Sequence, residues 1–134
     1  MLESERMSIF LVKAAESLAG AESEFVNGRY DNCANRCYYA CFQAAIAALL
    51  QASIVPTGDR AWGHPFVQAQ FAGALVNRRK LYPSAMRDTL PQNLMLRQRA
   101  DYEEQRVSAT QAQRSVQRTR EFVGAILTKG SERE

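Results

Sequence analysis

The chain has 134 residues, 46% of them hydrophobic and 23% charged, the size and make-up of one globular domain. That composition excludes a disordered or fibrous chain for most of the length. The net charge of +3 does not by itself imply nucleic-acid binding, but the basic set is skewed to 14 Arg against 3 Lys, and Arg is the better residue for bidentate phosphate contacts.

The single His excludes a His-rich metal centre within one chain. No apolar run approaches the roughly 18–20 residues that span a bilayer. The longest apolar-rich stretch, Ala44 to Leu50, is far shorter. The opening Met1-Leu2-Glu3-Ser4-Glu5 is acidic, unlike a signal or transit peptide. The expectation is a cytoplasmic protein with no membrane contact. Cys33, Cys37 and Cys41 stand four apart, so on a helix they form one stripe. Neighbours in such a stripe are poorly placed for a disulfide. Buried thiols packing against another helix are expected, with no metal and no cofactor.

Five helical stretches follow in chain order. The first runs from about Ser4 to Phe25, with Leu11, Ala15, Leu18, Glu22 and Phe25 on one face, and stops at Asn27-Gly28. The second runs from Asp31, as N-cap, to about Ala52. It is apolar almost all round and is therefore expected at the centre of a bundle. After a Pro- and Gly-punctuated loop, His64 is read as the N-cap of a third helix that ends near Val76. A fourth region spans about Pro83 to Tyr102, with a break at Pro91. The fifth carries a capping box, Ser108 with Gln111, and runs to about Thr128. Lys129-Gly130 ends it, and residues 131–134 form a frayed tail. The expected fold is all-α: one domain over residues 1–130, an up-down antiparallel bundle of four long helices and a shorter one.

Gly28-Arg29-Tyr30-Asp31, followed by Tyr38-Tyr39-Ala40-Cys41-Phe42 and on to Leu49, resembles the start of the second helix in the HEPN family. Arg99-Ala100-Asp101-Tyr102, then Ala112 and Phe122-Val123, resemble the ending of one HEPN branch, as does the placing of His64, Phe66, Phe71 and Leu75. The resemblance implies a helical bundle that dimerises. It implies either an RNase of toxin–antitoxin, CRISPR or phage-defence type, or the partner of a small MNT-type nucleotidyltransferase. Catalytic members carry an Arg followed a few residues later by a His.

Here the chain departs from the family. Arg97 and Arg99 stand where that Arg belongs, yet Asp101 and Tyr102 fill the His neighbourhood. RNA transesterification needs a proton acceptor and a proton donor beside a cation on the phosphate. Arg97, Asp101 and His64 are the candidate catalytic set, and Arg36, Tyr39, Arg99 and Tyr102 the candidate ligand-binding set. Each has a plainer reading. Asp101 is placed as an i,i+4 salt-bridge partner of Arg97. Arg36 is read as a buried ion pair with Asp31 or Asp101, or as a phosphate contact. Of Tyr38 and Tyr39, one belongs to the core and the other lines a cleft. His64 is a helix cap, or pairs with Arg97 across a dimer cleft. Arg60 stands close before His64, but the spacing is one residue short of the family's Arg–His motif and falls outside the fourth-helix region where that motif is expected.

Charge is uneven along the chain. Residues 1–31 carry net −3 and residues 78–120 net +6. Two explanations compete: the basic half holds RNA or nucleotide phosphates, or the acidic first helix meets the basic half of a partner. For Arg106, Arg114, Arg118 and Arg120 a solvated helix face is the default. The leading expectation is a non-catalytic HEPN module that dimerises, works with a nucleotidyltransferase and binds nucleotide or RNA. The alternative is a metal-independent endoribonuclease with a rearranged Arg/Asp/His site.

Overall fold

A computed structural model describes residues 2–58 and 61–132. Among these the elements are helical and no strand forms. Helix α1 spans Glu3–Val26, α2 Tyr30–Gln51, α3 His64–Gln70, α4 Thr89–Tyr102 and α5 Ala109–Glu132. The all-α bundle expected from the periodicity is what forms.

Helix α2 is the hub and packs against every other α-helix. Every residue from Ala44 to Leu50 is buried, as expected of a helix with so little polar surface. The first turn joins α1 to α2 through Gly28, whose φ of +74° most residues disfavour. Where α1 meets the bundle, Ala14 and Ala21 are fully buried and Met7, Phe10, Leu11, Leu18 and Phe25 pack beside them. Ala15, expected on the inner face, is exposed. The contact line follows the two small residues seven apart, which let the backbones approach, and the larger side chains flank it.

Asp31 is not the cap of α2; Arg29 holds that position. Asp31 lies within the first turn, and its carboxylate accepts a hydrogen bond from the Val107 backbone N–H at 2.8 Å. A residue read as a local signal instead ties down the distant segment before α5. Cys33, Cys37 and Cys41 are all buried free thiols. Cys33 and Cys37 pack with Ala34, Val107, Ala112 and Val116 in a small apolar cluster, and Cys41 belongs to the main core.

The third helix starts one residue earlier than expected. Gly63 is its cap and His64 its first residue, with no capping bond from the His64 side chain. Beyond Gln70 the chain continues in a wider π-type turn over Phe71–Arg78. That turn buries Phe71, Ala74, Leu75 and Val76. The break expected at Pro91 falls just before it. A 3-10 turn over Ser84–Asp88 precedes α4. Pro91 then sits in the first turn of α4, where a missing N–H sacrifices no helical bond.

The capping box of α5 forms as read. Gln111 N–H donates to Ser108 Oγ at 3.1 Å, and Ser108 N–H donates to Gln111 Oε1 at 3.0 Å. The helix does not stop at Lys129-Gly130. Gly130 is buried, and a Cβ there would lie 3.6 Å from Leu11 Cδ1, so packing on α1 carries the helix to Glu132. Residues 133–134 of the expected tail lie outside the described residues.

Candidate functional site

Three helices converge on the ring of Tyr38. It comes from the middle of α2 and is fully buried. Its hydroxyl hydrogen-bonds His64 Nδ1 at the start of α3. Across the other side lies Arg97 of α4, whose guanidinium carbon is 5.5 Å from the Tyr38 centroid and 5.1 Å from that of Tyr39. These are cation–π distances. Phe42, one turn along α2, closes the His64 side with its ring centroid 4.8 Å away.

The outer edge of the site is polar. Arg97 Nε lies 3.4 Å from Asp101 Oδ2, the i,i+4 pair expected from the spacing. The alignment is that of an ion pair and not of a hydrogen bond, so the buried Nε–H lacks an aligned acceptor. Asn35 Nδ2 donates to both Asp101 oxygens, at 3.3 and 3.4 Å.

The electrostatics follow from this packing. Burial pushes the Tyr38 phenol up to about 12, so its O–H stays on. Burial, then the positive field of Arg97, hold His64 below its usual value. The imidazole is therefore neutral at physiological pH. With Tyr38 donating into Nδ1, the proton of the neutral ring sits on Nε2. In this state the lone pair of His64 faces a buried phenol. In that tautomer the ring can donate a hydrogen bond outward from Nε2–H and has no free acceptor nitrogen. Asp101, the other candidate base, is held by Asn35 and Arg97.

The sequence-derived candidates thus separate. His64, Tyr39, Arg97 and Asp101 come together, with Tyr38 and Asn35 completing the group. His64 and Arg97 meet within one chain, on either side of Tyr38. Arg36 stays outside and corrects the expectation of a buried ion pair: it is exposed, and a Cβ at Gly20 would lie 3.8 Å from its methylene stem. Its two expected carboxylates are engaged elsewhere, Asp31 with Arg106 at 3.8 Å and Asp101 with Arg97. Tyr102 is 80% exposed at the end of α4. Arg99, two residues from Arg97, projects to the other side of α4 into a groove against α5. Arg60 lies outside the described residues.

Between α4 and α5 lies a second polar group that the spacing did not reveal. Asn93 is fully buried. Its Nδ2 donates to Thr119 Oγ1 at 3.0 Å and to Cys41 Sγ at 3.3 Å. Its Oδ1 accepts from Arg118 Nε at 2.7 Å and Ser115 Oγ at 3.2 Å. Arg118 is half-buried, which corrects the solvated-face reading for that residue. Cys37 adjoins the network, its thiol lowered by the Cys33 side chain and by the Ser115 and Thr119 hydroxyls. The one available signal was the mid-helix run of Ser115 and Thr119 on the buried stripe of α5, where apolar residues alone would pack.

No curated protein matches the sequence. A family model does: residues 7–129 match that of the HEPN domain. The match takes in all of α2, the Tyr38 site and most of α5, and the chain belongs to the HEPN family.

Proposed function

We propose that this protein is a non-catalytic HEPN module that binds nucleotide or RNA, dimerises and works with a nucleotidyltransferase partner. HEPN domains in general are nucleotide- or RNA-related modules and commonly dimerise. The observation that favours binding over cleavage is the engagement of both candidate bases. His64 Nδ1 is taken by the Tyr38 hydroxyl, and Asp101 by Asn35 and Arg97. On this reading the cluster is a lock joining α2, α3 and α4 and not a proton relay. The exposed Ile9 and Val12 of α1 are consistent with an association surface.

A second reading has its own support. His64 and Arg97 converge on one phenol ring, and a rearrangement freeing Nδ1 would set an imidazole beside a cation, as an endoribonuclease requires.

One assay separates the two. The protein is incubated with structured RNAs and tRNA in EDTA, alone and with the partner. Intact RNA retained on the protein is the expected outcome. Cleavage abolished in both Arg97→Ala and His64→Ala would overturn the binding reading. Light scattering tests dimerisation, with twice the chain mass expected and a monomer at tens of micromolar contradicting it.

A further inference from the structure

We infer that the groove between α4 and α5, on the face of α4 opposite the Tyr38 site, is the phosphate-binding site of this protein. The inference rests on the nucleotide or RNA reading for the identity of the ligand, and on its own geometry for the phosphate.

The groove has a volume of about 250 Å³ and is lined by Gln92, Met95, Leu96, Arg99, Gln111, Arg114 and Arg118. Three of its seven side chains are guanidinium groups and none is acidic. Arg99 has a carboxylate nearby, Glu103 at 3.8 Å. Arg114 and Arg118 form no ion pair among the described residues.

Arg118 is the most informative of the three. Burial works against its charge, and its Nε–H is bound by the neutral amide oxygen of Asn93. A desolvated cation fixed by a neutral acceptor keeps its positive charge unbalanced. Asn93 is itself held by Ser115, Thr119 and Cys41, so the guanidinium is oriented before any ligand arrives. Preorganisation of this kind lowers the cost of binding an anion. Gln111 is also fixed, because its Oε1 accepts from Ser108 N–H.

All three cations being Arg matters. The planar fork matches phosphate oxygens two at a time, which a Lys point charge does not. Met95, 72% exposed, and Leu96 give the groove an apolar wall suited to a ribose or base edge. The volume suits one phosphate with the sugar attached to it, and not a folded peptide. Nucleotide and RNA strand share this phosphate ester.

Calorimetry with inorganic pyrophosphate, on the full chain, tests the groove without assuming a nucleotide. Binding by the native protein, weakened about tenfold by Arg114→Gln and again by Arg99→Gln, is expected, since one charge-assisted contact is on the scale of a tenfold change. Arg114→Lys should recover only part of the loss, and Arg78→Gln, exposed at the end of the π-type turn and away from the groove, should change nothing. Thermal melting checks that these substitutions leave the fold intact. Pyrophosphate that fails to bind, or that binds equally to Arg114→Gln, overturns the groove.

The nucleotide arm uses AMP, ATP and a labelled single-stranded RNA. RNA or nucleotide binding insensitive to Arg99 and Arg114 overturns the groove and leaves the functional reading standing. Pyrophosphate binding with no nucleotide or RNA binding supports the groove and overturns that reading. Competition by polyglutamate as effective as that by RNA overturns the phosphate assignment in favour of an acidic protein segment.

Discussion

His64 is the only His in the chain, so its titration is read from one imidazole signal. Its folded pKa lies below the usual 6.5, because of burial and then the Arg97 charge. The folded state therefore binds fewer protons there than the unfolded state. The stability this confers is complete above about 6.5 and is lost as pH falls from that value through the folded pKa. His64→Gln should remove this component, so the melting temperatures of native and variant protein should converge toward acid. In the native fold, Arg97→Gln should raise the His64 pKa in an NMR titration. An unchanged value would show that Arg97 exerts no field on the ring. Asn93 yields a different residue-scale expectation. Asn93→Leu leaves Ser115, Thr119 and a half-buried guanidinium without their partner, and should cost about 2–4 kcal/mol in denaturant unfolding. A loss under about 1 kcal/mol would mean that the network is replaceable by apolar packing. The i,i+4 pairing of Arg97 with Asp101 was legible in the sequence because it is local. The meeting of His64 with Tyr38, or of Asn93 with Arg118, joins residues far apart in the chain, and no periodicity encodes it.

Elements were legible to the extent that their signals are local. The capping box of Ser108 and Gln111 lies within one turn, and it forms. Ser108→Ala should therefore cost about 1 kcal/mol, measured by thermal melting against the neighbouring Ala109→Gly, which reports helix propensity alone. Pro91 marked a true break because its ring geometry forbids a mid-helix position whatever surrounds it. Asp31 and Lys129-Gly130 misled for the same reason in reverse. Both are ordinary helix-boundary residues, but long-range contacts to Val107 and Leu11 decide their use. The π-type turn after α3 gave no sequence signal, since it follows from fitting Phe71, Leu75 and Val76 into one core. The cysteine stripe was readable as packing, and it has a consequence at this scale. With all three thiols buried, alkylation of the native protein should proceed only through opening of α2 from α5. Its rate should rise with denaturant in step with global unfolding, and labelling as fast as that of a free thiol would show that this helix pair opens locally.

At the scale of the whole molecule, the opposition between an acidic front and a basic back is closed in part by internal ion pairs. Glu22 of α1 meets Arg120 of α5 at 2.7 Å, and Asp31 meets Arg106 at 3.8 Å. Arg97 and Arg99 have Asp101 and Glu103 one turn on. The net +6 of residues 78–120 therefore overstates the charge on offer to a ligand, and the acidic first helix is partly satisfied within its own chain. Six bases of residues 78–120 stay outside the ion pairs of the described residues, Arg78, Arg79, Lys80, Arg87, Arg114 and Arg118, and of these Arg114 and Arg118 lie beside Arg99 in one groove. This difference is measurable. Each phosphate contact to single-stranded nucleic acid contributes about −0.7 to the slope of log affinity against log salt. Binding through the groove alone gives a slope of about −2, whereas engagement of all ten bases of residues 78–120 gives about −7. Fluorescence anisotropy with a short labelled RNA across a salt series should return the shallow value, and Arg114→Gln should make it shallower by about one contact. A steep slope, reduced by Arg114→Gln only from about −7 to about −6, would mean that RNA lies along the whole basic half, with the internal ion pairs opening to receive it.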